Sequence, residues 1–289
     1  MSRIRLAALQ TYGIFMEGTK NFYVDTKDYI KIRRNLKASS GDFKKLIRRE
    51  IELYDQMPKD MLKVTPTLIL ASLPVVFYFI LPLLYFFPKQ LLCSHFWTSD
   101  QKMRFSNDYL RQRLKHNKSL LKHLRRFQCS FPEQYPQSLI KEWLKILDSL
   151  RGGNQPDVQQ ILDCKLMFGP GPYCLLCLEG DHLWHLAQLH SISLSLARRK
   201  SLARRAIILM EMDQAILREG GVHNMPMKAL QKSCYIRGLN PAFVTKEHLI
   251  FWLNQWLKIS THVQAKELSL LLHCPLLLGY NEPSNLRLF

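Results

Sequence analysis

The chain has 289 residues, of which 47% are hydrophobic, and a formal net charge of +18 from 41 Lys and Arg against 23 Asp and Glu. This length favours one main domain with one smaller segment, and the hydrophobic fraction is that of ordinary globular proteins, so any membrane signal must be local. Seven scattered cysteines exclude a disulfide framework and indicate a reducing compartment. The positive charge predicts an acidic partner, which is anionic lipid, RNA in a large particle or an acidic protein.

Residues 1–63 form a basic N-terminal segment in which the stretch from Tyr29 to Tyr54 is charged and amphipathic. Ser39-Ser40-Gly41 interrupts this stretch, so we predict two surface helices, one on each side of the interruption. Four basic residues after the interruption would suit a membrane surface, and a solvated helix face is the equal alternative. These four are Lys44, Lys45, Arg48 and Arg49.

The stretch from Val64 to Pro88 contains no charged residue and is bracketed by Lys63 and Lys89. Its length exceeds the roughly 20 residues that a helix needs to cross a bilayer, and membrane helices tolerate proline better than soluble ones do. We therefore predict a single transmembrane helix, with a re-entrant or interfacial helix and a buried core helix as alternatives. The anchor residues of this prediction are Val64, Pro66, Pro74, Pro82 and Pro88.

Residues 89–289 show helical periodicity and little strand alternation, so we predict an all-α domain. Its elements in chain order are helices over Asp100–Phe127 and Gln137–Leu150, a loop over Met167–Asp181, a long helix over Leu183–Glu219, a short helix from Pro226 to Cys234, and a helix capped by Thr245. The last helix carries apolar residues at helical spacing, which we interpret as a core face. These are Leu249, Trp252, Leu253, Trp256 and Leu257.

One cluster has the residue types of a metal site: Cys174 and Cys177 with His182 and His185. The second pair follows the first too soon to wrap a zinc ion, so ordinary packing is the preferred interpretation over zinc or a redox dithiol. We also expect His95, His190 and His273 to be structural. The sequence contains no phosphate-binding loop, nucleophile elbow or His-Glu-x-x-His motif, so we predict neither an enzyme nor a cofactor.

A run of basic residues lies within the predicted long helix, with apolar residues between its charges. Such a stripe can contact phosphates or an acidic partner, and a solvated helix face is the alternative. Aromatic platforms for single-stranded nucleic acid are missing from this stripe, and no DNA is expected as a partner. The candidate contact residues are Arg198, Arg199, Lys200, Arg204, Arg205, Lys228, Lys232 and Arg237.

Residues 60–280 share several sequence features with a known protein family. The resemblance lies in the block from Leu230 to Leu239, which includes Cys234, Arg237 and Gly238, and in the acidic residue and turn before it, Asp213 and Glu219-Gly220-Gly221. It continues through Leu249, Leu253, Trp256-Leu257, Ser260 and Leu270-Leu271-Leu272, and it includes the exit of the apolar stretch at Pro82, Phe87-Pro88 and His95-Phe96-Trp97. In these features the chain resembles the LETM family of mitochondrial inner-membrane proteins.

The resemblance implies a single-pass inner-membrane protein whose C-terminal helical domain, of the ribosome-binding type, faces the matrix. Family members support mitochondrial structure and respiration, so the implied partners are membrane lipid, the mitochondrial ribosome and a second copy of the chain. A cation/proton exchanger subunit is the second hypothesis, although exchanger-type members place an acidic residue where this chain has Phe77. The third is a soluble interaction protein of nucleus or cytosol.

Overall fold

The computed structural model describes residues 2–71, 73, 80, 83–126, 135–169, 171–192 and 197–289. Every regular element in these ranges is helical, which confirms the all-α prediction. The chain divides into two compact units, residues 1–106 and 107–289. The anchor residues Pro74 and Pro82 lie outside the described residues.

The first unit contains α1 (Ser2–Ala38), α2 (Arg48–Ala71), α3 (Pro88–Leu91) and the start of α4 (Ser99–Leu114). The second unit contains the end of α4 and then α5 (Asn117–Arg126), α6 (Gln137–Arg151), α7 (Val158–Asp163), α8 (Gly180–Leu189), α9 (Arg198–Arg218), α10 (Met227–Ile236), α11 (Lys246–His262), α12 (Leu268–Leu277) and α13 (Pro283–Leu286). Short 3-10 turns occupy Ser94–Phe96, Lys165–Phe168, Val222–Asn224 and Ala265–Glu267.

The predicted interruption at Ser39-Ser40-Gly41 is confirmed, because α1 ends at Ala38 and α2 begins at Arg48. Ser40 and Gly41 both have positive φ, 55° and 86°, which reverses the chain between the two helices. Tyr29 of α1 then meets Tyr54 of α2, with ring centroids 6.1 Å apart. The two helices therefore form an antiparallel pair held partly by aromatic contacts.

Gly18 allows α1 to pass directly over the 3-10 turn Ser94–Phe96. A Cβ atom at this position would lie 2.8 Å from the carbonyl oxygen of His95 and 2.8 Å from the ring of Phe96. Phe22, one turn further along α1, also packs on this turn, with its ring centroid 5.6 Å from that of His95. A glycine in mid-helix thus brings α1 against the residues that follow the apolar stretch.

The prediction of one helix from Val64 to Pro88 is wrong in the described residues. Helix α2 begins well before this stretch, at Arg48, and ends at Ala71. The Lys63 ammonium donates a hydrogen bond to the carbonyl oxygen of Lys89 at 2.6 Å, whereas a straight helix of this length would separate its ends by about 37 Å. The two ends of the stretch therefore lie next to each other, and we call residues 64–88 the apolar segment.

Several described side chains of the apolar segment are exposed, including Ile69, Leu83, Tyr85 and Phe86. Val64 is an exception, because it is fully buried at the point where the two ends of the segment meet. Within the described ranges, none of the helices combines the length and the apolar character that crossing a bilayer requires.

The helices predicted over Asp100–Phe127 and Leu183–Glu219 are each divided in the structure. The first breaks into α4 and α5 at the turn formed by Lys115 and His116. The second breaks after α8, where Ser191 adopts a φ of 57°.

Other predicted elements of the second unit are confirmed. Helix α6 covers the predicted Gln137–Leu150, and Pro226 directly precedes α10. The side chain of Thr245 caps α11 by accepting a hydrogen bond from the backbone N–H of His248 at 3.3 Å. The five apolar residues of α11 that were expected to form a core face are all buried.

The core of the second unit also holds a buried polar relay. The indole N–H of Trp143 donates to the Tyr173 hydroxyl at 3.0 Å, and that hydroxyl donates to the carbonyl oxygen of Leu124 at 2.5 Å. This relay ties the irregular loop after α7 to both α5 and α6. The loop predicted over Met167–Asp181 is thus fixed by its own buried side chains, such as Met167 and Phe168.

Candidate functional site

The exposed basic residues gather at the start of α9. Arg198, Arg199 and Lys200 form its first turn, Arg204 follows on the next, and all four are exposed. No acidic residue lies in that first turn. Cations near a helix N-terminus oppose the helix dipole, typically by about 0.3–1 kcal/mol each. An anionic partner at this place would bind both the side chains and the free backbone N–H groups of the helix end.

Arg199 is held in position by the loop before α8. Its guanidinium donates a hydrogen bond to the carbonyl oxygen of Leu178 at 2.9 Å. This contact fixes the Arg199 side chain against the loop, whereas the side chains of Arg198 and Lys200 on the same turn are exposed. We call Arg198, Arg199, Lys200 and Arg204 the basic cluster.

Arg205 does not belong to the basic cluster, because its side chain is buried. It lies in a positively charged part of the core with Arg113, whose guanidinium donates to the carbonyl oxygens of Leu189, Tyr235 and Ile236 at 2.8–3.1 Å. These oxygens lie at or next to the ends of α8 and α10, where helix carbonyls lack partners within the helix. Burial, and then the charge of Arg205, lower the pKa of His190 well below its usual value.

Arg237, which we predicted as a surface contact, is a buried core residue that forms an ion pair with Asp213. Its Nε donates to one carboxylate oxygen of Asp213 at 3.0 Å. The other oxygen accepts from the Trp256 indole at 3.0 Å and from the Ser260 hydroxyl at 2.5 Å. The prediction fails because Arg237 meets α9 and α11 in the core, where its charge is balanced.

Lys228 and Lys232 are exposed on consecutive turns of α10. They belong to a different helix from the basic cluster. Of the eight predicted contact residues, the structure therefore brings four together on α9, places two apart on α10, and buries Arg205 and Arg237.

The Cys174-x-x-Cys177 pair and the two histidines after it do not converge in the structure. His182 is buried and its Nε2 lies 2.8 Å from Nε2 of His273. His185 lies against His116, with their Nδ1 atoms 2.9 Å apart. The backbone N–H of Cys177 donates to the sulfur of Cys174 at 3.2 Å. His182 and His185 thus each have another histidine as a partner, and these partners are His273 and His116.

Sequence reasoning also missed the surroundings of His95. Its Nδ1 lies 3.2 Å from the sulfur of Cys93, and its Nε2 lies 2.9 Å from a carboxylate oxygen of Asp25. The spacing Cys93-x-His95 was visible in the sequence. The contribution of Asp25, from a helix about seventy residues earlier, was not.

Comparisons with known proteins identify relatives that align with most of this chain. A family model described as "LETM1-like, RBD" matches residues 46–277. LETM1 domain-containing protein 1 of Xenopus tropicalis is 28% identical over 273 residues, which cover 93% of this chain and 77% of that protein. The Bos taurus protein of the same name is 30% identical over 273 residues, or 93% of this chain and 75% of that protein.

A more distant relative is the mitochondrial proton/calcium exchanger protein of Drosophila melanogaster. It is 26% identical over 243 residues, which cover 82% of this chain and 23% of that protein. The family model spans most of the chain, including the helices that carry the basic cluster and the buried pair of Asp213 and Arg237. The chain belongs to the LETM1-like family.

Proposed function

We propose that this chain is a non-enzymatic protein of the mitochondrial inner membrane that maintains mitochondrial structure and respiratory function, and that its basic cluster binds the mitochondrial ribosome. The observation that carries the proposal is the exposed basic cluster at the start of α9, within a domain of the LETM1-like family. The mitochondrial location is supported by the name of the fly relative, mitochondrial proton/calcium exchanger protein.

Ribosomal RNA suits the basic cluster better than a small anion does. Four cations on two successive helical turns can contact several backbone phosphates, and such contacts do not depend on base sequence. The unfavourable placement of three cations at a helix N-terminus would be relieved by phosphate groups. RNA therefore supplies the charge that the first turn of α9 lacks.

We propose that the apolar segment attaches the chain to the inner membrane by entering the bilayer from the matrix side and returning to it. Beyond Lys63, α2 extends from Val64 to Ala71, or about 12 Å, within the roughly 15 Å of one leaflet's hydrocarbon. Tyr85 and Phe86 are exposed close to Lys89, as aromatic residues are at a membrane interface. Exposed apolar patches next to cations favour an anionic lipid surface as the partner.

The ribosome contact is tested by charge reversal. We expect Arg198→Glu, Lys200→Glu and Arg204→Glu together to reduce co-sedimentation of the detergent-solubilised protein with mitochondrial ribosomes about tenfold or more at moderate salt. The dependence of log affinity on log salt should become shallower by about 2, since each lost phosphate contact removes about 0.7–0.9 from the slope. Arg199 is left unchanged because it also supports the loop at Leu178.

The matched control reverses the same number of charges elsewhere on the second unit. Lys246, Lys258 and Lys266 are exposed. Their change to Glu lowers the net charge by the same amount and should reduce co-sedimentation only by about twofold. Equal losses of co-sedimentation in the two triple variants would show that only the net charge of the chain matters, and would contradict the proposed site.

A cation/proton exchanger subunit is the second candidate, and the name of the fly relative favours it. The apolar segment contains no acidic, basic or histidine side chain to carry a proton or to coordinate an ion. Reconstitution of the purified chain in liposomes with a proton gradient decides between the candidates. Calcium or potassium movement above that of empty liposomes would support the exchanger.

A further inference from the structure

The first unit contains a cluster of metal-ligating side chains at the point where the two ends of the apolar segment meet. One ligand atom from each of Asp60, Cys93 and His95 lies within 4.8 Å of the other two. Among the described residues, this is the one group of three or more such side chains that converges to this extent. Asp60 comes from α2, and Cys93 and His95 come from the turn after α3.

The hydrogen bonds around the cluster orient its ligands. Nδ1 of His95 faces the sulfur of Cys93 at 3.2 Å, while Nε2 is 2.9 Å from Asp25. A histidine that binds a metal commonly uses its other ring nitrogen to donate to a carboxylate, which fixes the ring and its tautomer. The Gln56 side chain donates to Asp60 at 3.0 Å and orients that carboxylate in the same way.

The donor set selects the metal. One thiolate, one imidazole and one carboxylate suit zinc, whereas calcium and magnesium prefer oxygen ligands alone. A divalent ion with one thiolate and one carboxylate is neutral as a unit, which favours it at a site where Cys93 is 1% exposed. The neighbouring charges of Asp25 and Lys63 have opposite signs.

We propose that Asp60, Cys93 and His95 bind one zinc ion, with Asp25 as the residue that positions His95. The fourth ligand position is filled by a water molecule or by the second oxygen of Asp60. Bound there, the ion joins α1, α2 and the turn Ser94–Phe96, so that it fixes the two ends of the apolar segment next to each other.

Binding has a cost at the thiol. Burial raises the pKa of Cys93 to about 12, so the thiol must lose a proton to the solvent when the metal binds. A coordinating cation deprotonates a thiol directly, and the affinity that remains depends on how well the three ligands are prepositioned. The hydrogen bonds from Gln56 and to Asp25 provide that prepositioning.

The test uses the full chain in detergent, stripped of metal with a chelator and titrated with Co²⁺ and Zn²⁺. Cys174→Ser with Cys177→Ser serves as the background, because this partly exposed pair could bind metal without the proposed site. We expect one Co²⁺ per chain, with a thiolate-to-cobalt charge-transfer band and the visible bands of tetrahedral cobalt, and displacement of Co²⁺ by Zn²⁺.

In this background, Cys93→Ser should remove the charge-transfer band, and Asp60→Asn should weaken binding at least tenfold. Asp25→Asn, which removes no ligand, should weaken binding by about 10-fold to 100-fold. Cys164→Ser, at another buried cysteine, should change nothing. Circular dichroism of each variant separates loss of the ligand from loss of the fold.

Two results would overturn the proposal. One is that the background chain, with its first unit folded, binds no cobalt or zinc at micromolar concentration. The other is that the charge-transfer band survives Cys93→Ser in the natural chain but is absent from the background chain, in which Cys174 and Cys177 are replaced. The second result would assign the metal to the Cys174-x-x-Cys177 pair instead.

Discussion

At the scale of single residues, the Asp213 carboxylate connects three helices, α9, α10 and α11, that contain residues shared with the LETM family. It accepts hydrogen bonds from Arg237 on the end of α10 and from Trp256 and Ser260 on α11. A buried carboxylate is tolerated only when its charge is balanced and its oxygens have donors, and here both conditions are met. The resemblance that Asp213, Arg237, Trp256 and Ser260 give to the LETM family is therefore explained by packing.

Loss of Asp213 should destabilise the second unit strongly. Asp213→Ala leaves the Arg237 guanidinium buried without its anion, and such changes typically cost about 3–5 kcal/mol of the free energy of unfolding. Urea denaturation followed by tryptophan fluorescence measures the change. As a control, Glu142→Ala breaks the exposed pair with Lys145 and should cost below about 1 kcal/mol. Equal midpoints for the two variants would show that the buried pair does not contribute as argued.

The buried histidines make stability depend on pH. Burial lowers the pKa of His273 to about 4 and that of His182, which also faces His273, to about 2, compared with about 6.5 in an unfolded chain. Between pH 6.5 and 4 the unfolded chain therefore binds protons that the folded chain does not. Stability is full above pH 6.5 and falls below it, by about 1.4 kcal/mol per pH unit for each histidine.

Urea denaturation at pH values between 4.5 and 7.5 checks this dependence. His273→Gln should reduce the slope of stability against pH by about one proton. His262→Gln, at an exposed position, should leave the slope unchanged. A natural chain whose stability stays constant from pH 7.5 to 4.5 would contradict the neutral, buried state of these histidines.

At the scale of elements, the sequence predicted helices where caps and periodicity agree. Thr245 and Gly41 are examples, since a capping hydroxyl and a glycine with positive φ act locally. The breaks at His116 and Ser191 were missed because they depend on tertiary partners: His116 lies against His185, and His190 reaches the carbonyl oxygen of Leu272. Local patterns carry no information about such contacts.

The same reason limited the prediction of the site. The basic cluster was identified because exposed charges show in the sequence, whereas burial of Arg205 and Arg237 depends on which helix packs over them. The apolar segment was recognised from its composition, but the sequence did not show that its two ends lie next to each other. The hydrogen bonds from the Lys63 side chain to the carbonyl oxygen of Lys89 and from the Thr67 hydroxyl to that of Leu91 reveal that its ends meet.

Charges introduced into the apolar segment should release the chain from the membrane. Tyr85→Glu with Phe86→Glu places two carboxylates at exposed positions of the segment, and each costs up to about 2.5–3.5 kcal/mol if it must enter the hydrocarbon. The fraction retained in mitochondrial membranes after alkaline carbonate extraction should fall. The matched variant, Phe243→Glu with Phe251→Glu, changes two exposed phenyl groups of the second unit and should leave retention unchanged.

At the scale of the whole molecule, the proposed attachment is to one face of the inner membrane. The contact between Lys63 and Lys89 requires the sequence before the apolar segment and the sequence after it to lie on the same side of any bilayer that the segment enters. A single-pass protein would place them on opposite sides. We propose the matrix as that side, because the proposed partner of the basic cluster is the mitochondrial ribosome.

Protease protection of mitoplasts tests this central claim most directly. One epitope is inserted between Ser40 and Gly41, in the exposed turn between α1 and α2, and a second follows the exposed Phe289. If both epitopes lie in the matrix, they should resist protease in intact mitoplasts and be digested once detergent opens the inner membrane. Digestion of one epitope with protection of the other would establish a single crossing and contradict attachment to one face.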